Sequence, residues 1–125
     1  DIVSEENNKI EKIKEYINAH YREEITLPDI SQMSGMSISS FGRFFKQQTG
    51  RTLSEYIIYQ RLSFATSRLI ESTDSISDIC FASGFNNMSH FNRLFKRNKG
   101  CSPSQFRDTY RVRQKFDEGV PVKTF

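Results

Sequence analysis

Two clusters of basic side chains set the chemical question in this sequence. Arg43 and Lys46 lie in SSFGRFFKQQTG, Ser39 to Gly50, and Arg93, Lys96, Arg97 and Lys99 lie in SHFNRLFKRNKG, Ser89 to Gly100. In both stretches the apolar residues recur three and four apart (Phe41, Phe44 and Phe45; Phe91, Leu94 and Phe95). That spacing makes one helix face apolar and leaves the opposite face basic. A guanidinium presents two parallel N–H donors to a planar pair of acceptors, whereas an ammonium is a compact point charge on a flexible stem. Such a face suits a polyanion. It also suits plain solvent, so one stretch alone decides nothing.

The distribution of charge adds a second observation. The net charge is +3, but residues 1–35 carry only Lys9, Lys12, Lys14 and Arg22 against eight acids, for −4. Residues 36–125 hold the other fourteen basic residues against seven acids, for +7. Segregated positive charge is what a polyanionic partner requires.

Other chemistry has little to work with. His20 and His90 are the only histidines, and Cys80 and Cys101 stand far apart, so no metal-ligand spacing arises. There is no Gly-rich phosphate loop and no Gly-x-Ser-x-Gly elbow. The expectation is a non-enzyme that needs no cofactor. No apolar run is long enough to span a membrane, and the opening DIVSEENNK is unlike a secretory signal. Unpaired cysteines fit a reducing cytosol, hence a cytoplasmic protein without membrane contact. The chain lacks an initiator Met and is expected to be cut from a longer one.

The elements that must position the basic clusters are written twice. LPDISQMSGMSISSFGRFFKQQTGRTLSEY, from Leu27, aligns with ISDICFASGFNNMSHFNRLFKRNKGCSPSQF, from Ile76. Asp29 pairs with Asp78, Ile30 with Ile79 and Gly35 with Gly84. After one extra residue in the second copy, Phe41 pairs with Phe91, Arg43 with Arg93, Phe45 with Phe95, Lys46 with Lys96 and Gly50 with Gly100. Such register argues for two similar supersecondary units.

Each copy reads as helix, short turn, helix. Capping boxes open the first helices at Thr26–Asp29 and Ser75–Asp78, with hydroxyl and carboxylate expected to satisfy backbone N–H groups reciprocally. Gly35 and Gly84 supply the left-handed residue that ends them. The second helices are expected to start at Ser37 and Asn86 and to stop at Gly50 and Gly100. Further boxes follow at Thr52–Glu55 and Ser102–Gln105, with Pro103 at the first helical position.

Leu53 to Ser72 contains neither Pro nor Gly and is predicted to be one joining helix, roughly 30 Å long against a DNA turn of about 34 Å. A helix from about Asn8 to His20, with Ile10, Ile13 and Ile17 on one stripe, closes the first unit. Another from Pro103 to about Val112 closes the second. The predicted organisation is therefore a first unit at 8–52, a linker helix at 53–72, a second unit at 73–112, and flexible ends at 1–7 and 113–125.

Arg61 to Arg107 resembles the signature of the AraC/XylS family of bacterial transcription regulators. The resemblance rests on Arg61-Leu62 and Ala65, Ile76-x-x-Ile79, Gly84-Phe85, Ser89-x-Phe91-x-Arg93-x-Phe95-Lys96, and Gly100-x-Ser102-Pro103. With the first unit it covers about residues 8–112. It implies an all-α, seven-helix tandem helix-turn-helix domain, two homeodomain-like units joined by a long linker helix. It also implies a separate sensor or dimerisation domain in the full-length protein. Two positions depart from the pattern: Cys80, where Ala is usual, and Gly42, where a larger, often polar, residue is usual.

In a helix-turn-helix, the outer face of the second helix enters the major groove. The expected base-reading residues are Ser39, Ser40 and Arg43 in the first unit and Asn87, Met88, Ser89, His90, Asn92 and Arg93 in the second. Arg43 and Arg93 suit guanine, Asn suits adenine, and Met88 suits a thymine methyl. Lys46, Lys96, Arg97 and Lys99 are assigned to phosphate, which positions the protein without reading sequence. The second unit is chemically richer. The expected partners are double-stranded DNA and, for a regulator, RNA polymerase. The competing reading is a helical interaction module that holds an acidic protein, and a third is an architectural DNA binder without base preference.

Overall fold

The structure, a computed structural model, describes residues 2–117, with side chains described through Arg111. Among these residues the chain forms seven α-helices and no strand. They are α1 (Ile2–His20), α2 (Leu27–Ser34), α3 (Ile38–Thr49), α4 (Leu53–Glu71), α5 (Ile76–Ala82), α6 (Met88–Lys99) and α7 (Pro103–Asp117). They divide into two compact units, with the boundary inside α4 between Arg61 and Leu62.

The first unit is built on the apolar stripes. Ile10, Ile13 and Ile17 of α1 meet Ile30 of α2, Phe41, Phe44 and Phe45 of α3, and Leu53 and Ile57 of α4. In the second unit Leu62, Ala65 and Leu69 of α4, Ile79 and Cys80 of α5, Phe85, and Phe91 and Phe95 of α6 are buried. The rings repeat their geometry. Phe41 and Phe45 lie 5.7 Å apart, Phe91 and Phe95 5.9 Å; Phe45 meets Tyr56 edge-on at 5.4 Å, and Phe95 meets Phe106 edge-on at 5.7 Å. Edge-to-face pairs at such separations add to the burial of the rings.

Local hydrogen bonds set most helix ends. Thr26, Ser37, Ser75 and Asn87 each accept a backbone N–H three residues ahead. Gly50 (φ 78°) and Gly100 (φ 82°) end α3 and α6, each donating its N–H to a lysine carbonyl, Lys46 or Lys96, at 2.8 Å. Four details differ from the reading of the sequence. The N-cap of α6 is Asn87 rather than Asn86, because the extra residue of the second copy is spent in the turn before the helix. The capping box is reciprocal only for the longer acids and amides: Glu55 and Gln105 return bonds to the N–H groups of Thr52 and Ser102, at 2.9 and 3.0 Å. At Asp29 and Asp78, one methylene shorter, only the hydroxyl half forms among the described residues. The terminal helices also run further than their buried stripes. Helix α1 begins at Ile2, upstream of Asn8, and α7 continues to Asp117, because no Pro or Gly interrupts either segment. Asp1 and residues 118–125, parts of the two ends expected to be flexible, lie outside the described residues.

Candidate nucleic-acid interface

Helices α3 and α6 present the two basic clusters. In α3, Ser39, Arg43 and Lys46 are exposed and spaced to share one face, opposite the buried Phe41, Phe44 and Phe45. Ser40 is half-buried, and its backbone N–H donates to Ser37 Oγ at 3.2 Å. In α6, Ser89, Asn92, Arg93, Lys96, Arg97 and Lys99 are exposed, opposite Phe91 and Phe95. Each unit thus gathers its exposed predicted residues on the face opposite its phenylalanines.

Three predicted readers have structural work of their own. The Asn87 side-chain oxygen accepts the His90 N–H at 2.8 Å. As the N-cap, that oxygen is directed at the helix backbone, which fixes the orientation of the amide and limits its paired approach to an adenine. His90 is half-buried, its ring edge-on to Phe85 with centroids 6.2 Å apart. Met88, the first residue of α6, is also half-buried.

The basic residues sort into two groups by their partners. Among the described residues no ion pair joins Arg43, Lys46, Arg93, Lys96, Arg97 or Lys99 to a carboxylate. Their charge is open to an external partner. Arg61 and Arg107, in contrast, turn inward onto backbone. Arg61 of α4 donates from Nε to the Tyr21 carbonyl at 2.6 Å and from Nη2 to the Glu23 carbonyl at 2.8 Å. It thereby holds the loop that leads from α1 into α2. Arg107 of α7 donates to the carbonyls of Leu69, Asp74 and Ser72, at 3.1, 2.7 and 3.2 Å. It holds the loop that leads from α4 into α5. Burial lowers the pKa of both guanidiniums; at Arg107 the neighbouring Arg111 adds to the shift, against the opposing pull of Asp74 and Asp108.

These clamps were not found by sequence reasoning, which gave Arg61 no role beyond the family signature and Arg107 none. The available signal was an arginine set within a helix's apolar stripe, where a solvated charge would be out of place. Cys80 is buried, with its thiol 3.9 Å from the Asn87 carbonyl. Among the described residues no group of three or more His, Cys, Asp or Glu could hold a metal ion, and no helix is long and apolar enough to cross a membrane.

A family profile described as a helix-turn-helix domain, of the AraC type, matches residues 30–109. The chain belongs to the AraC/XylS family of transcription regulators. Among AraC-family relatives, it is 32% identical over 101 residues to the transcriptional regulator ExsA of Pseudomonas aeruginosa, covering 81% of this chain and 36% of ExsA. It is 32% identical over 108 residues to the bifunctional transcriptional activator/DNA repair enzyme AdaA of Bacillus subtilis, covering 86% and 51%. The chain therefore spans about a third to a half of these relatives' lengths. Among solved structures, it resembles the DNA-binding domain of AdpA in complex with a target DNA, at TM-score 0.79 and 26% identity over 82% of this chain and 93% of that one. An AraC-type regulator from Chromobacterium violaceum matches at TM-score 0.76 and 26% identity, over 86% and 96%.

Proposed function

We propose that this chain binds double-stranded DNA sequence-specifically, as the output domain of a bacterial transcription regulator. Helices α3 and α6 enter successive major grooves of an asymmetric site. The observation that carries the reading is the repetition of an exposed basic face without close ion pairs in one register, Arg43 with Arg93 and Lys46 with Lys96, on two helices capped at matching positions and packed through matching ring pairs. A solvated face has no reason to keep that register. The likeness to AdpA, solved on a target DNA, supports the same reading.

The roles follow from side-chain chemistry. Arg43 and Arg93 each bond O6 and N7 of a guanine. Ser39, Ser40, Ser89 and Asn92 contact base edges. Met88, His90 and Asn87 lie at the start of α6, where their contacts are limited by packing and capping. Lys46, Lys96, Arg97 and Lys99 meet phosphates, so affinity falls steeply with salt, by about 0.9 log units per log unit of salt for each phosphate neutralised. The domain acts by binding and carries out no reaction; a sensor or dimerisation domain and contact with RNA polymerase belong to the full-length regulator.

Selection of sites from a random duplex library by the purified domain, at near-physiological salt, tests this. Two enriched elements about one helical turn apart are expected. One element alone would mean that only one unit reads bases. Binding without enrichment would replace the proposal with an architectural binder. Salt-insensitive capture of an acidic protein, with DNA ignored, would replace it with the interaction module.

A further inference from the structure

Four of the described glycines, Gly35, Gly50, Gly84 and Gly100, have positive φ, so each has a reason internal to the backbone. Gly42 has none. It lies within α3, on the side of Ser39, Arg43 and Lys46, in right-handed helical conformation. A Cβ built there would meet nothing within 4 Å, so no neighbouring element needs the space. A helix-interior glycine lowers helix stability relative to alanine, because its backbone loses more freedom on folding. The fold carries that cost with no return inside the molecule.

The register of the two units narrows the explanation. Gly42 matches Asn92 of α6, an exposed side chain on the outward face. At the same place on the two recognition helices, one unit presents a carboxamide and the other presents bare backbone. A polar side chain there holds its helix at a distance from a partner surface, whereas a glycine lets backbone approach it directly. Resting on the DNA-binding reading above, we propose that Gly42 is a close-approach position, at which the backbone of α3 closes against the duplex whatever its sequence. The first unit then contributes close backbone contact with Arg43 as its principal reader. The second unit reads through its longer side chains.

The proposal sets stability and binding against each other at one residue. Gly42→Ala removes the helix penalty, and the added methyl meets open space in the free protein, so its Tm should rise by about 2–8 °C. The same methyl should stand between α3 and DNA and weaken binding to the parent's selected duplex and to unrelated duplexes alike, by roughly tenfold or more. Gly42→Asn, carrying the residue of the second unit, should weaken the parent's duplex at least as much. Higher Tm with unchanged or tighter DNA binding by Gly42→Ala would overturn the close approach while leaving DNA recognition intact. A lower Tm would overturn the premise that the fold does not need this glycine. Failure of the parent itself to bind any duplex would remove the DNA-binding reading, and the role of Gly42 with it.

Discussion

The two helix-turn-helix units share a frame almost bond for bond. In the turn after α2, the Gly35 N–H donates to the Gln32 carbonyl at 3.1 Å and the Met36 N–H to the Ser31 carbonyl at 3.2 Å. After α5, Gly84 and Phe85 donate to Phe81 and Cys80 at the same 3.1 and 3.2 Å. The paired phenylalanines, the glycines that end α3 and α6 and the capping hydroxyls of α2 and α5 recur as closely. The exposed outward faces differ more: Gly42 stands against Asn92 and Gln47 against Arg97. The comparison separates two kinds of constraint. Frame positions answer to packing and backbone geometry, which tolerate little change. Outward positions answer to a partner and can diverge between units without cost to the fold.

One frame feature diverges too. Each unit uses an arginine from the helix after its recognition helix to hold the loop before its scaffold helix. In the repeat register Arg61 corresponds to Arg111, yet Arg111 reaches the Ser72 carbonyl only at 3.4 Å. The principal clamp in the second unit is Arg107, one helical turn earlier, where the first unit has buried Ile57. The task has been kept while the residue performing it has moved.

The largest effect that would break the comparison is loss of a matched core ring. Phe41 and Phe91 are both fully buried. Phe41→Ala and Phe91→Ala should each lower stability by about 3–5 kcal/mol, measured by denaturant unfolding. A much smaller loss at either residue would show that the two cores are not equivalent.

Next come the clamps. Arg107→Gln and Arg61→Gln should each lower stability by about 1.5–3 kcal/mol, as charge-assisted bonds to backbone carbonyls are lost. Neither should change the slope of log affinity against log salt. A shallower slope for Arg107→Gln would move that residue from the frame to the DNA contacts.

Arg93→Ala and Arg43→Ala should leave the unfolding free energy within about 0.5 kcal/mol of the parent, as expected for exposed residues. They should weaken binding by about 1–3 kcal/mol and relax preference at one base pair each, as reselection would report. Equal relaxation in both elements would argue against a second unit that reads more.

The smallest effect separates the two reciprocal caps by pH. Bonds from the Thr52 backbone N–H and hydroxyl hold the Glu55 carboxyl below its ordinary pKa. Because the folded value is depressed, the stabilisation is present above the unfolded pKa and is lost as pH falls through the folded one. Its counterpart Gln105 does not titrate. Glu55→Gln should slightly flatten the acid limb of Tm against pH, whereas Gln105→Glu should steepen it; matching curves for all three proteins would show that the cap charge contributes nothing.

Much of this molecule is local and was therefore open to reading from residues alone. Helix starts at Thr26, Ser37 and Ser75, stops at Gly50 and Gly100, and the Phe stripes of α3 and α6 depend on interactions three or four residues apart. The repeat then carried the fold class, because two copies of one pattern imply two copies of one unit. The outward faces of α3 and α6 followed from the same helical period, which also placed Arg43 and Arg93 on exposed surface. Tertiary structure decided what local periodicity cannot express. One inserted residue moved the α6 cap to Asn87 and engaged a side chain assigned to base reading. Arg61 and Arg107 bond carbonyls up to 40 residues away in sequence, so only the folded chain supplies the partners that set them apart from Arg93 and Arg97. A basic residue's type fixes its charge; the atoms brought to it by folding fix whether that charge holds the protein together or remains for a partner.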